Sequence, residues 1–199
     1  MKMRGTAAIS RGWFLPAIAV LLLAAEPRKD IVEGNPASPV KVTIYEDLQC
    51  ADCQNFRTLL DEKILPKYGV RVAFVHRDFP LGKHEWARAA AVAARWVYEQ
   101  NPRLGIVFRR EIMSEQTHLT TDSLKPWLIQ FARRNNLSEE AITAALTDQR
   151  LLSLVDQDLM GGVARGVAHT PTVYIGNQSL VETILYDDLA RLLDNALAR

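Results

Sequence analysis

Apolar residues Val40, Val42 and Ile44 alternate with Lys41, Thr43 and Tyr45. A period of two predicts a half-buried β-strand. After a polar stretch, Glu46-Asp47-Leu48-Gln49, the period changes: Cys50, Cys53, Phe56, Leu60 and Ile64 recur at helical spacing, which predicts a helix from near Cys50 to Leu65, ended by Pro66 and Gly69. Val70, Val72 and Phe74 alternate again and predict a second strand. A strand, helix and strand in this order imply a parallel pair joined by a crossover. Helical patterns then follow one another. The Ala-rich segment His84 to Gln100 comes first, then Leu104–Met113, then a helix capped at Thr121. Another starts at Ser138, and a last one carries Leu152, Val155 and Leu159, loosened at Gly161-Gly162 and stopped at Gly166. Strand character returns in residues 172–175 and 179–181 around Gly176-Asn177-Gln178, a hairpin connection. Leu189, Leu192, Leu193 and Leu197 mark a closing amphipathic helix.

This order, β-α-β, a helical block, then β-β-α, assigns residues 40–82 and 167–199 to one α/β domain and 83–166 to an all-helical insertion. Residues 26–39, with Pro27, Gly34, Pro36 and Pro39, read as a linker. Residues 1–25 read as a signal peptide. Lys2, Arg4 and Arg11 form a basic start, an uncharged apolar run spans residues 12–25, and Ala24-Ala25 offers small residues for cleavage. The run contains Pro16 and falls short of the roughly 20 residues of a spanning helix, so cleavage and a periplasmic or otherwise extracytoplasmic location are expected.

Composition narrows the function. The chain has 199 residues, 48% apolar and 24% charged, ample for a core without covalent staples. Its 24 Lys+Arg face 23 Asp+Glu; losing Lys2, Arg4 and Arg11 leaves 21 against 23, a net charge of about −2. That balance gives no electrostatic case for nucleic acid as a partner.

The two cysteines carry the chemistry. Cys50-Ala51-Asp52-Cys53 lies between a strand and a helix, where free N–H groups and the helix dipole favour a thiolate. Cys50, at the opening turn, should be the more exposed attacking sulfur, and Cys53, one turn on, should resolve the mixed disulfide. Two plainer readings compete. A structural disulfide here closes a very short loop, worth roughly 2 kcal/mol, little for a chain with a large core. A zinc site needs about four ligands, yet there is no third cysteine, and His76, His84, His118 and His169 are scattered. No metal or organic cofactor is therefore expected. Thr170-Pro171, at the start of a late strand, is a position that tolerates a cis X–Pro bond.

Asp47 to Phe56 (DLQCADCQNF), Arg77-Asp78-Phe79-Pro80-Leu81, His84 at the head of an Ala-rich helix, and Gly166 to Val173 (GVAHTPTV) resemble the DsbA-type family over residues 38–199. The resemblance implies a thioredoxin-like fold with a helical insertion. It implies a thiol–disulfide oxidoreductase acting on exported protein substrates and recycled by a membrane redox partner. It also implies that Pro171 is cis and faces the cysteines, with Thr170 contacting substrate backbone. Where DsbA has Pro-His between its cysteines, this chain has Ala51-Asp52. A carboxylate some 6–8 Å from the sulfur raises a thiol pKa by on the order of 1–2 units, so Asp52 predicts a moderate oxidase, between DsbA near −120 mV and thioredoxin near −270 mV. The alternative for Asp52 is a solvent-facing side chain of no consequence. Other readings of the whole chain are a disulfide reductase or isomerase, or a non-catalytic thioredoxin-like binding module.

Three further residues are candidates around the pair. His84 caps or packs its helix, or else assists proton transfer. Glu46, with Asp47, relays protons to Cys53 or sits in a solvated turn. His169 lines the substrate groove or is a plain loop residue. Trp86, Trp96 and Trp127 read as core, and the pairs Arg109-Arg110 and Arg133-Arg134 as solvated helix faces.

Overall fold

The computed structural model describes residues 29–199, so the predicted signal peptide lies outside the described residues. Five strands form one mixed sheet in the order β1-β3-β2-β4-β5. The central strand β2 (Lys41–Glu46) pairs parallel with β3 (Ala73–Asp78), Ile44 opposite His76 and Glu46 opposite Asp78. On its other side β2 pairs antiparallel with β4 (Thr172–Ile175), Tyr45 opposite Thr172. This register fixes the site: the turn leaving β2 and the loop entering β4 meet at the same sheet end. The hairpin partner β5 (Gln178–Val181) completes one edge.

The helix after β2 runs further than its proline suggested. It begins as α1 (Ala51–Leu59), widens into a π turn at Leu60–Ile64, and continues as α2 (Leu65–Tyr68). Leu65 N–H donates to the Leu60 carbonyl, so the hydrogen-bond spacing is reset just before Pro66. Pro66 then occupies the first turn of α2, where its missing N–H costs little. Phe56, Leu60, Ile64 and Tyr68 bury against Val42, Phe74 and Val173 of the sheet and against Leu189 and Leu193 of α8 (Tyr186–Leu197).

Five helices fill the interval between β3 and β4: α3 (Ala87–Gln100), α4 (Pro102–Ser114), α5 (Thr121–Arg134), α6 (Glu139–Ala145) and α7 (Gln149–Ala164). Asn101 caps α4, Thr120 rather than Thr121 caps α5 in a reciprocal box with Ser123, and Ser138 caps α6. Their core joins Trp86, Ala90, Ala94, Phe108, Ile112, Leu128 and Phe131, and it extends to Leu48, Cys50 and Cys53. The cysteine pair therefore sits on the seam between sheet and insertion. Phe108, Trp127 and Phe131 form an aromatic trio with centroids 4.9–5.6 Å apart. α7 runs through Gly161-Gly162 without a break; the glycine at 162 makes room for the ring of Phe79, which packs where a side chain would stand.

The linker expectation for 26–39 is corrected. Ile31–Gly34 form β1, an edge strand antiparallel to β3, with Ile31 buried opposite His76. Four residues between turn-formers show too little alternation to be read as a strand; the open edge of β3 supplies the pairing. The second strand also begins later than expected, at Ala73, because Tyr68 to Val72 turn the chain and leave Val70 exposed.

Candidate functional site

Cys50 is the N-cap residue of α1, with extended backbone, and its N–H donates to the Asp47 carbonyl to close a tight turn. Its thiol donates to the carbonyl of Thr170 at 3.3 Å, and the Thr170-Pro171 peptide is cis. Residues 120 positions apart thus meet because β2 and β4 are neighbours. Both cysteines are free thiols. Cys50 is 7% exposed and Cys53 0%. The expected order holds, yet Cys50 is more enclosed than a helix N-terminus alone predicts, since it packs at the edge of the insertion core.

The two sulfurs are driven apart in acidity. The Cys50 thiol is lowered from 9.0 to about 5, first by a hydrogen bond from Cys53; burial opposes this, and donation by the Thr170 side chain and the Cys53 and Asp52 backbone N–H groups adds to it. The Thr170 hydroxyl is buried beside the site and has no hydrogen-bond partner among the described residues. Cys53 is pushed well above 9.0 by burial, by its hydrogen bond with Cys50 and by the charges of Cys50 and Glu46. One sulfur is ionised at neutral pH and the other keeps its proton. A pair of that kind can attack or leave through Cys50 and resolve through Cys53.

The neighbouring candidates divide. Asp52 is exposed; its leading influence on Cys50 comes from its backbone N–H, which favours the thiolate, and not from the carboxylate repulsion that charge alone predicted. His84 lies beside the site: its Nδ1 is 2.8 Å from Asp47 Oδ2. The buried Asp47 carboxylate also accepts from Gln49 and Leu81 N–H at 2.7 Å each, while Asp47 N–H donates to Cys53 Sγ at 3.3 Å. Glu46 is buried in ion pairs rather than in a solvated turn. Its Oε1 is 2.7 Å from His76 Nδ1 and accepts from Arg109 Nε at 3.0 Å. Burial raises the Glu46 carboxyl, but His76 and Arg109 outweigh it and hold the group well below the carboxylate range. His169 is exposed and pairs with Glu182 at 3.1 Å.

The expectation of a solvated Arg109-Arg110 face is half overturned. Arg109 is 1% exposed, bridging Glu46 and Asp78, while Arg110 at 38% side-chain exposure reaches Glu33 and Asp61. Arg95 joins Asp78 to Asp158, and Arg57 joins Glu33 to Asp61. A web of buried charges therefore underlies the cysteine turn. No local pattern in the sequence tells a buried arginine from a solvated one.

A family model described as thioredoxin matches residues 26–195; the chain belongs to that family. Wolbachia pipientis α-DsbA1 superposes with a TM-score of 0.74 at 20% identity, covering 88% of this chain and 94% of that one. The catalytic domain of Proteus mirabilis ScsC gives 0.70 at 24% identity over 85% and 90%, and oxidised BdbD of Bacillus subtilis gives 0.70 at 21% over 85% and 94%. Within its family the chain therefore shares the fold of these DsbA-type structures, a thioredoxin-like fold with a helical insertion. Among curated sequences, 160 residues are 28% identical to part of the Na(+)/H(+) antiporter NhaA 3 of Salinispora tropica and 167 residues are 28% identical to part of NhaA of Herminiimonas arsenicoxydans. These matches cover 79% and 81% of this chain but only 23% and 24% of those proteins, so the chain spans about a quarter of the length of the curated relatives it matches. Among the described residues, no helix is long and apolar enough to cross a membrane.

Proposed function

We propose that this protein oxidises cysteine pairs in exported proteins, as a moderate oxidase working outside the cytoplasm after removal of residues 1–25. The observation that carries the proposal is the acid Cys50 sulfur, held at the N-terminus of α1 against the Thr170 carbonyl with Cys53 buried behind it. Starting from the Cys50–Cys53 disulfide, a substrate thiolate attacks the Cys50 sulfur, the enzyme disulfide breaks, and Cys53 leaves and takes a proton. The second substrate thiol, losing its proton, attacks its partner's sulfur in the mixed disulfide, and Cys50 leaves as a thiolate. Two electrons pass from substrate to enzyme, and a membrane redox partner that reoxidises the pair closes the cycle. Thr170 and Pro171 border the substrate's approach to Cys50. His84, through Asp47, brings an imidazole to the turn for proton exchange.

A thiol near pKa 5 lies between thioredoxin at about 7 and DsbA at about 3.5. Since a stabilised thiolate favours the reduced form, the reduction potential should fall between about −270 and about −120 mV. Two measurements test the reading. Cys53→Ala expressed in cells with the leader intact should accumulate mixed disulfides through Cys50, and a glutathione titration should give a potential inside that interval. A variant that traps nothing would mark a binding module, and a potential at or below that of thioredoxin would mark a reductase.

A further inference from the structure

The turn that carries Cys50 is fastened from outside its own domain. Gln116, in the connection between α4 and α5, directs its side-chain nitrogen at two carbonyls at once, Leu48 at 3.2 Å and Cys50 at 3.0 Å. A primary amide has two N–H bonds, so one side chain can serve both. The Cys50 carbonyl also accepts from Gln54 N–H at 3.1 Å, the first bond of the helical ladder. Gln116 therefore grips the peptide just before the helix and the carbonyl that opens it.

We propose that Gln116 is a positioning residue for disulfide exchange: by holding the Leu48 and Cys50 carbonyls it fixes the Cys50 sulfur in line with the Asp52 and Cys53 N–H groups. It acts on the same site as the oxidoreductase reading and rests on that reading. The mechanism is geometric. Hydrogen bonds weaken steeply with misalignment, and those N–H groups stabilise the ionised sulfur only while the turn holds its angle. Two further bonds share the task, Trp86 N–H of the insertion to Gln49 Oε1 at 3.0 Å and Leu81 N–H, just ahead of the insertion, to the Asp47 carboxylate. Neither touches the Cys50 peptide itself. The insertion thus contributes a pin for the reactive turn as well as a wall.

Gln116 has no charge at any working pH. The titratable groups around Cys50 are Cys53 and Asp52 on α1, Glu46 and Asp47 before it, His84 from the insertion and His169 beside Thr170. Removing the amide alters none of these charges, so a change in Cys50 acidity reports geometry. The test is the pH dependence of Cys50 alkylation in the reduced protein. Gln116→Met keeps the length of the side chain and loses both donors; its alkylation midpoint should rise by about half a unit to one unit, roughly three- to tenfold less thiolate below the midpoint. Gln116→Glu keeps the shape and turns a carboxylate toward two carbonyls; its midpoint should rise further. A folded Gln116→Met protein with the wild-type midpoint would overturn the proposal, even if its melting temperature fell, since that pattern belongs to a residue that merely ties down a loop. The wild-type protein gives a reading that needs no variant. The Gln116 side-chain amide protons should exchange slowly and shift as Cys50 titrates, and an amide exchanging at the free rate would also overturn it. A wild-type midpoint near an unperturbed thiol's would instead defeat the oxidoreductase reading itself.

Discussion

At Cys50 the important quantity is a difference in proton affinity between folded and unfolded chains. The folded thiol titrates near 5 and the unfolded one near 9.0. Between these values the unfolded state binds the extra proton, so the reduced protein gains stability as pH rises and loses it as pH falls back through 5. Above 9.0 the trend reverses, because folded Cys53 holds its proton where an unfolded thiol releases it. The disulfide form has neither group to titrate. Urea midpoints of the two forms at pH 4 and pH 8 should therefore converge or cross in favour of the reduced protein at the higher pH; parallel shifts in both forms would contradict the assigned acidity of Cys50. The placement of Cys50 at the helix start, and its being the less buried of the two sulfurs, were legible in the sequence because a helix N-terminus is a local feature. The sign of Asp52's influence was not, because it depends on where a side chain points, and here the residue acts through its backbone N–H.

Element by element, periodic segments announced themselves and short ones did not. α3, α4, α5, α7 and α8 each carry a sustained apolar face and α6 is marked by its Ser138 cap, whereas β1 has four residues and owes its existence to a partner about 40 positions away. Pro66 misled for a related reason, since a π turn just upstream makes room for it. Helix packing is sharpest at Gly105 of α4, where an added Cβ would meet Tyr98 Cα at 2.5 Å and Tyr98 Cβ at 2.6 Å. These are main-chain and root atoms of α3 and cannot swing aside. Tyr98 also matters beyond its helix, for its hydroxyl accepts from Val32 N–H of β1 at 3.1 Å. Gly105→Ala gains up to about 1 kcal/mol of helix propensity but overpacks at a cost of about 1–3 kcal/mol. A net loss of melting temperature of a few degrees is expected, with earlier amide exchange in β1; an unchanged melting curve would show that α4 can slide.

On the scale of the whole molecule, the two halves are joined by charge as well as by apolar contact. Arg109 of α4 crosses from the insertion to Glu46 of β2 and Asp78 of β3, and Arg95 of α3 crosses to Asp78. Removing one partner strands the others in a dry interior, so Arg109→Leu should cost about 3–5 kcal/mol in chemical denaturation. Arg110→Leu, next door and half in water, should cost about 1 kcal/mol or less. Equal losses in the two variants would refute this division. No sequence pattern separates these adjacent arginines; only the assembled layers do. The same assembly governs when the cysteine turn is complete. The Cys50 sulfur and the carbonyl it donates to lie 120 residues apart, with five helices made in between. A chain still lacking its last strands holds both cysteines but not the wall that β4 brings to them, so the finished site is a product of long-range folding and not of the local turn alone.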